Sequence, residues 1–250
     1  MSSLDENAWL ATSLGQYFLQ REQAYYDQVV ADIFGFNALQ LGLLEHDLLR
    51  TSRIPFCFRA GMGRRVAVRA DAPQLPVASQ TLDLILLPHV LEFSAHPHQI
   101  LREAERVLMP EGQLIVSGFN PFSLWGLRKM MSYNEAGYPW NGRFISLLRL
   151  KDWLALLGFE VIGGRMCCYE PPFQQEKLLR KFRFMEAAGD RWWALAGGVY
   201  FIHARKRVHG MRMIMPPWNE ARAARKGLAP VAQKTLQRTK PDLRSRFESK

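Results

Sequence analysis

The chain has 250 residues, 48% of them hydrophobic and 22% charged, a globular composition that excludes a mainly disordered or fibrous protein. That length holds one large domain or two small ones. Even the apolar stretch from Leu82 to Phe93 is broken by Asp83, Pro88 and His89, so no segment reaches the ~18 apolar residues of a membrane-spanning helix. The net charge is +10, and residues 219–250 carry +6 of it.

Asp5 and Glu6 stand where an export signal carries positive charge, and the first basic residue is Arg21. Cys57, Cys167 and Cys168, an odd count with an adjacent pair, have neither a disulfide framework nor metal-ligand spacing. A soluble protein of a reducing cytoplasm is expected.

Residues 5–34 predict one helix or two: Trp9, Leu10, Leu14, Tyr17, Phe18, Tyr25, Val29, Val30 and Ile33 recur mostly at steps of three and four, and Gly35 ends the pattern. Strand-sized apolar segments follow at 38–43, 55–58, 66–70, 82–87 and 113–118. Between the last two, residues 97–108 carry Ile100, Leu101, Ala104, Val107 and Leu108 as a helical stripe, with Arg102, Glu103 and Arg106 opposite. A further helix is predicted over 147–157, stopped by Gly158, then strands at 159–162 and 198–208. The segment 171–197 reads as a basic and aromatic insertion containing Trp192 and Trp193, whose Leu178, Leu179, Phe182 and Met185 suit a helix on the sheet edge. The domain plan is a helical segment over 1–36, an α/β domain over 37–212 holding that insertion, and a tail over 213–250. Large apolar residues follow no steady period in the tail, which predicts a flexible basic terminus with weak nonspecific affinity for polyanions. Strands alternating with helices and apolar on both faces predict an α/β fold around a mainly parallel sheet.

The stretch Asp71-Ala-Pro-Gln-Leu-Pro-Val-Ala-Ser-Gln-Thr-Leu-Asp83, with the apolar strand and Val90-Leu91-Glu92-Phe93 after it, resembles the central block of class I S-adenosylmethionine-dependent methyltransferases of type 11. The family pattern is close to DAxxLPFxxxSFD followed by xVLEH. Leu101 to Pro121 resembles the helix, turn and fifth strand that follow there, and Gly158-Phe-Glu-Val161 the start of the sixth. The resemblance covers roughly residues 37–208. It implies a Rossmann-like sheet of seven mainly parallel strands with helices on both faces, S-adenosylmethionine as cofactor, and a site beyond the carboxyl ends of the strands.

The departures from the pattern bear on the site. Where the family's first strand ends in a loop like DxGxGxG, this chain has Gln40, Leu41, Gly42, Leu43, Leu44, Glu45 and His46. Gly42 alone matches a glycine, Gln40 stands for the acid, and Leu44 competes for the ligand's space. Arg59 is the nearest residue to the ribose-binding acid expected after the second strand; arginine only donates, so an aspartate there would supply the acceptor and Glu45 is the substitute at hand. Asp71 and Ala72 fit the adenine side, or a turn before Pro73. Leu87 and His89 close the fourth strand, where the family lines its methyl-transfer cavity, although a histidine there can equally cap or pack. Asn120 and Pro121 are acceptor-pocket candidates, and Gln16 and Tyr17 can close over the cofactor or pack in the core. Glu92 keeps the family's acid and Phe93 replaces its histidine. His96 and His98 have no third ligand in metal spacing and read as loop histidines.

No catalytic signature is present, which agrees with methyl transfer: alignment and a dry site suffice, with a base needed only for a protonated acceptor. The expected function is transfer of a methyl group from S-adenosylmethionine to an acceptor the sequence does not identify. The alternative is a catalytically silent methyltransferase fold that uses its basic tail and aromatic insertion to bind partners.

Overall fold

The structure is a computed structural model that describes residues 3–63, 66–131, 137–173, 175, 182, 185–186, 189 and 196–207. The predicted tail over 213–250, Trp192 and Trp193, and most of the 171–197 insertion lie outside the described residues.

The predicted N-terminal helix is two helices, α1 (Ser3–Leu10) and α2 (Ser13–Val30). Thr12 separates them: its hydroxyl accepts from the Gly15 amide at 3.1 Å and caps α2. There follow β1 (Asn37–Leu41), β2 (Phe56–Gly61), β3 (Val68–Arg69), β4 (Leu82–Pro88), a 3-10 turn at Leu91–Phe93, α3 (Pro97–Val107), β5 (Leu108–Phe119), α4 (Leu124–Met131), α5 (Leu147–Leu156), β6 (Phe159–Cys167) and β7 (Val199–Lys206). α5 is capped by the Ser146 hydroxyl, and Gly158, at φ 80°, turns the chain into β6 as expected.

The strands form one seven-stranded sheet in the order β3-β2-β1-β4-β5-β7-β6, parallel except where β7 runs against β5 and β6. Period-two alternation divides its core. Leu84 and Leu86 of β4 and Ile115 of β5 pack with Leu14, Phe18 and Tyr26 of α1–α2's layer, while Ile85, Leu87, Leu114 and Val116 pack on the other face with α3 and α5. α3 matches its predicted stripe: Ile100, Leu101, Ala104 and Val107 are buried. Arg106 of α3 donates to the carbonyls of Leu75 and Val77, and Glu103 accepts from the Leu75 amide at 2.7 Å. That clamp fixes the loop that begins at Asp71.

No described helix is long and apolar enough to cross a membrane. Cys57, Cys167 and Cys168 are free thiols.

Candidate functional site

Strand order reverses between β1 and β4, the place where open α/β sheets leave a crevice beyond their carboxyl ends. A cavity of about 440 Å³ opens there. The loop after β1 forms one wall with Gly42, Leu43, Leu44, Glu45 and His46; the end of β2 contributes Gly61, Met62 and Gly63; Asp71 and Ala72 form a third side; and His89, Val90 and Phe93 line the β4 side under Glu6 and Leu10 of α1. Of the residues expected at a cofactor, Gly42, Glu45, Asp71, Ala72 and His89 therefore meet around one space, while Gln40, Arg59 and Leu87 are absent from its lining.

Each absence has a physical reason. Gln40 is fully buried on the α2 face; its amide donates to the carbonyls of Gly42, Leu43 and His46, at 3.1, 3.2 and 2.8 Å, and its carbonyl accepts from the Leu48 amide. A side chain consumed by the loop's backbone has no donor left for a ligand. Arg59 lies two residues before the end of β2, which runs on to Gly61, and donates to the Leu44 carbonyl at 3.0 Å. Leu87 points into the layer between the sheet and α3. Asn120 is likewise committed to backbone: its amide donates to the Gly197 carbonyl and its carbonyl accepts from the Phe122 amide. Gln16 donates to the Leu10 carbonyl and Tyr17 to Glu186.

The glycines of the site are required for different reasons. A Cβ on Gly42, which sits at φ 91°, would stand 2.4 Å from the Pro88 carbonyl oxygen, so this residue lets β1 close against β4. On Gly61 or Gly63 a Cβ would meet the tip of Leu44 at 2.8 Å. The Leu44 side chain thus occupies the space these two glycines open. The pattern Gly-Met-Gly immediately after a strand was the available signal for them; Glu6 had none, because only the packing of α1 brings it to the cavity.

His89 is held in the left-handed region at φ 50° while its amide donates to the Ser117 carbonyl at 3.1 Å. The backbone turn sends its imidazole between two buried carboxylates: Nε2 lies 2.9 Å from Oε1 of Glu22 in α2, and Nδ1 lies 3.2 Å from Oε1 of Glu92. Burial alone would strip the proton, but the attraction of Glu22 and Glu92 outweighs it and pushes the imidazole up to about 10. Glu92 also accepts from the Phe119 amide at 2.7 Å. Glu6 is pushed up to about 7, chiefly by burial, with His89 opposing and Glu22 and Glu45 adding to the rise. Among the described residues, no group of three or more side chains suits a metal ion.

Comparison with known proteins agrees with this geometry. A family model described as a methyltransferase domain matches residues 56–116, from β2 into β5. Over residues 56–116 the chain is similar to the type 11 methyltransferase domain, and its sheet has the Rossmann-like fold of class I methyltransferases. The matched region starts after the loop over 40–46, so the loop's departure from the glycine-rich pattern and the extent of the match are consistent. The uncharacterized protein YafS of Escherichia coli K12 is 39% identical over 132 residues, 52% of this chain and 55% of that one. A malonyl-[acyl-carrier protein] O-methyltransferase of a Methylovorus species is 31% identical over 121 residues, 48% of this chain and 40% of that one. These matches span about half the length of the relatives or less. A solved structure from Thermotoga maritima, described as an S-adenosylmethionine-dependent methyltransferase and possible histamine N-methyltransferase, shares the fold with a TM-score of 0.56 at 18% identity, over 80% of this chain and 94% of that one.

Proposed function

We propose that this methyltransferase-fold protein binds S-adenosylmethionine in the cavity between Gly42 and Asp71 and methylates an acceptor that reaches the same cavity. The observation that carries this reading is the convergence of Gly42, Glu45, Asp71, Ala72 and His89 on one space of about 440 Å³ at the switch point of the sheet. That volume lies in the range of about 300–1,000 Å³ typical of small-molecule sites. When bound, the cofactor supplies an electrophilic methyl group on a sulfonium.

The residues present suit such a guest. The loop from Gly42 to Glu45 offers backbone groups and one carboxylate to the methionine portion. On the β2 side Leu44 fills the space beside Gly61 and Gly63, and Glu45 of the lining offers the ribose the carboxylate that Arg59 does not supply. Asp71, exposed on the rim, and Ala72 form the adenine side. Phe93, Ser94 and His96 border the mouth, where an acceptor enters. The three free thiols fit a reducing cytoplasm, and the basic residues 219–250 give the chain a weak, salt-sensitive affinity for polyanions.

Calorimetric titration of the full chain with S-adenosylmethionine and with S-adenosylhomocysteine tests the reading. Binding is expected, and Asp71→Ala weakens it by roughly tenfold or more, the worth of one hydrogen bond to a charged group at about 1.5–3 kcal/mol. Absence of heat with either compound overturns the proposal and favours the silent fold that binds partners.

A further inference from the structure

The polar atoms around His89 are unusually short of partners. Trp9 Nε1, Glu22 Oε2, His89 Nδ1, Glu92 Oε2 and the Tyr138 hydroxyl are buried with no hydrogen-bond partner among the described residues. His89 Nδ1 has the Glu92 carboxylate at 3.2 Å as an ion pair only. These atoms belong to one neighbourhood: Phe18 packs edge-on against both His89 and Trp9, at ring separations of 5.1 and 5.3 Å, and Trp9 packs against Tyr138, also at 5.3 Å. Their side chains come from α1, α2, the end of β4, the 3-10 turn and the segment before α5. His89, the centre of the group, also lines the cavity.

The charge of this neighbourhood is unbalanced. One imidazolium faces the two carboxylates Glu22 and Glu92, whose side chains are no more than 1% exposed. Glu6 of α1 adds a third carboxylate from the cavity side, and Glu45, from the loop after β1, is a fourth within its range. Tyr138 contributes a hydroxyl kept protonated first by its burial and then by Glu6, Glu22 and Glu92. On the far side, Lys129 of α4 feels Glu92 while lying over the Phe144 ring. A low-dielectric site with excess negative charge attracts a cation far more than a neutral molecule of the same shape.

We infer that Glu6, which lines the cavity together with His89 and its two buried carboxylates, makes this cavity selective for a cationic occupant, so that it holds the sulfonium of S-adenosylmethionine in preference to the neutral thioether of S-adenosylhomocysteine. This rests on the proposed cofactor site and adds its charge selectivity. The two compounds share adenosine and the amino-acid portion and differ by a methyl group and one positive charge, so their affinity ratio isolates the effect. Product leaves such a site more readily than substrate. Glu6 is the adjustable member: it carries its charge above about pH 7 and loses it below, whereas His89 keeps its proton throughout that range. The preference for the sulfonium therefore grows with pH.

Affinities of the wild-type chain and of Glu6→Gln for the two compounds, measured by calorimetry at about pH 6 and about pH 8, decide the matter. The wild type is expected to favour S-adenosylmethionine by about tenfold at the higher pH and by only a few fold at the lower, one charge at this range being worth roughly a decade. Glu6→Gln shows the smaller ratio at both. Equal affinities, or a ratio that ignores pH in the wild type, overturn the inference while leaving the cofactor site intact. Binding of neither compound removes the cofactor reading itself.

Discussion

Gln40 and Arg59 are register partners in adjacent parallel strands, and together their side chains hold the carbonyls of Gly42, Leu43, Leu44 and His46. The two positions at which the sequence departs from the acidic residues of the family are thus a pair of donors, and the loop they secure is the wall of the cavity. Donors are what a loop with so many inward carbonyls requires, because buried carbonyls without partners are costly.

Restoring acids at these positions is therefore expected to harm the protein. Gln40→Glu exchanges an amide that serves three carbonyls for an oxygen that repels them, and costs roughly 3 kcal/mol at about 1 kcal/mol for each lost bond. Arg59→Asp frees the Leu44 carbonyl and places a carboxylate within β2, short of the cavity, so cofactor affinity falls or stays level. Urea unfolding and ligand titration check both. Tighter binding by Arg59→Asp would restore the simpler expectation that the chain merely lacks an acceptor there.

The alternation of elements was legible because burial follows it closely. Leu84 and Leu86 serve one face and Ile85 and Leu87 the other, so β4 is apolar from Leu84 onwards, and the stripe of α3 faces a single layer. Helix α4 was not legible: Leu127, Met130 and Met131 are 51%, 78% and 80% exposed, so its apolar residues trace no inward stripe. β5 extends further back than expected, to Leu108, since its register with β4 shifts around the Met109–Gly112 turn. Local motifs singled out Gly42, Asp71 and His89, which all line the cavity. They carried no information on Glu22, which is 67 residues from its partner His89 and reaches it only because α2 lies across the end of β4.

Leu44 offers a direct handle on the cavity. Its side chain fills the space beside Gly61 and Gly63, while its backbone carbonyl stays tied to Arg59. Leu44→Ala keeps that hydrogen bond and removes only the obstruction, so S-adenosylhomocysteine affinity is expected to rise by several fold with little change in stability, the residue being only partly buried. Weaker binding would mean that the leucine is a contact for the ligand rather than an obstacle.

Gly42→Val should act in the opposite sense. Any Cβ here falls 2.4 Å from the Pro88 carbonyl and 2.6 Å from the Val90 side chain, at a backbone angle that β-branched residues avoid. β1 and β4 must separate, so stability and ligand binding are lost together. A variant that unfolds at the wild-type temperature yet no longer binds would show that the strand junction tolerates the added methyl groups and that only the ligand does not.

The pH dependence of stability follows from His89. Free imidazole releases its proton near 6.5, whereas His89 in the folded chain keeps it to about 10. Between those values the folded state binds more protons than the unfolded one, so this contribution is complete below the lower value and fades as pH rises through the upper one. His89→Gln leaves Glu22 and Glu92 buried without their shared cation, and a broken buried pair costs roughly 3–5 kcal/mol. Unfolding free energies of wild type and His89→Gln, taken at intervals across that window, are expected to differ most at its acidic end and to converge towards its basic end. A constant gap would mean that the imidazole contributes by packing on Phe18 and Phe119, whose rings lie 5.1 and 4.2 Å from it, and that its charge is immaterial.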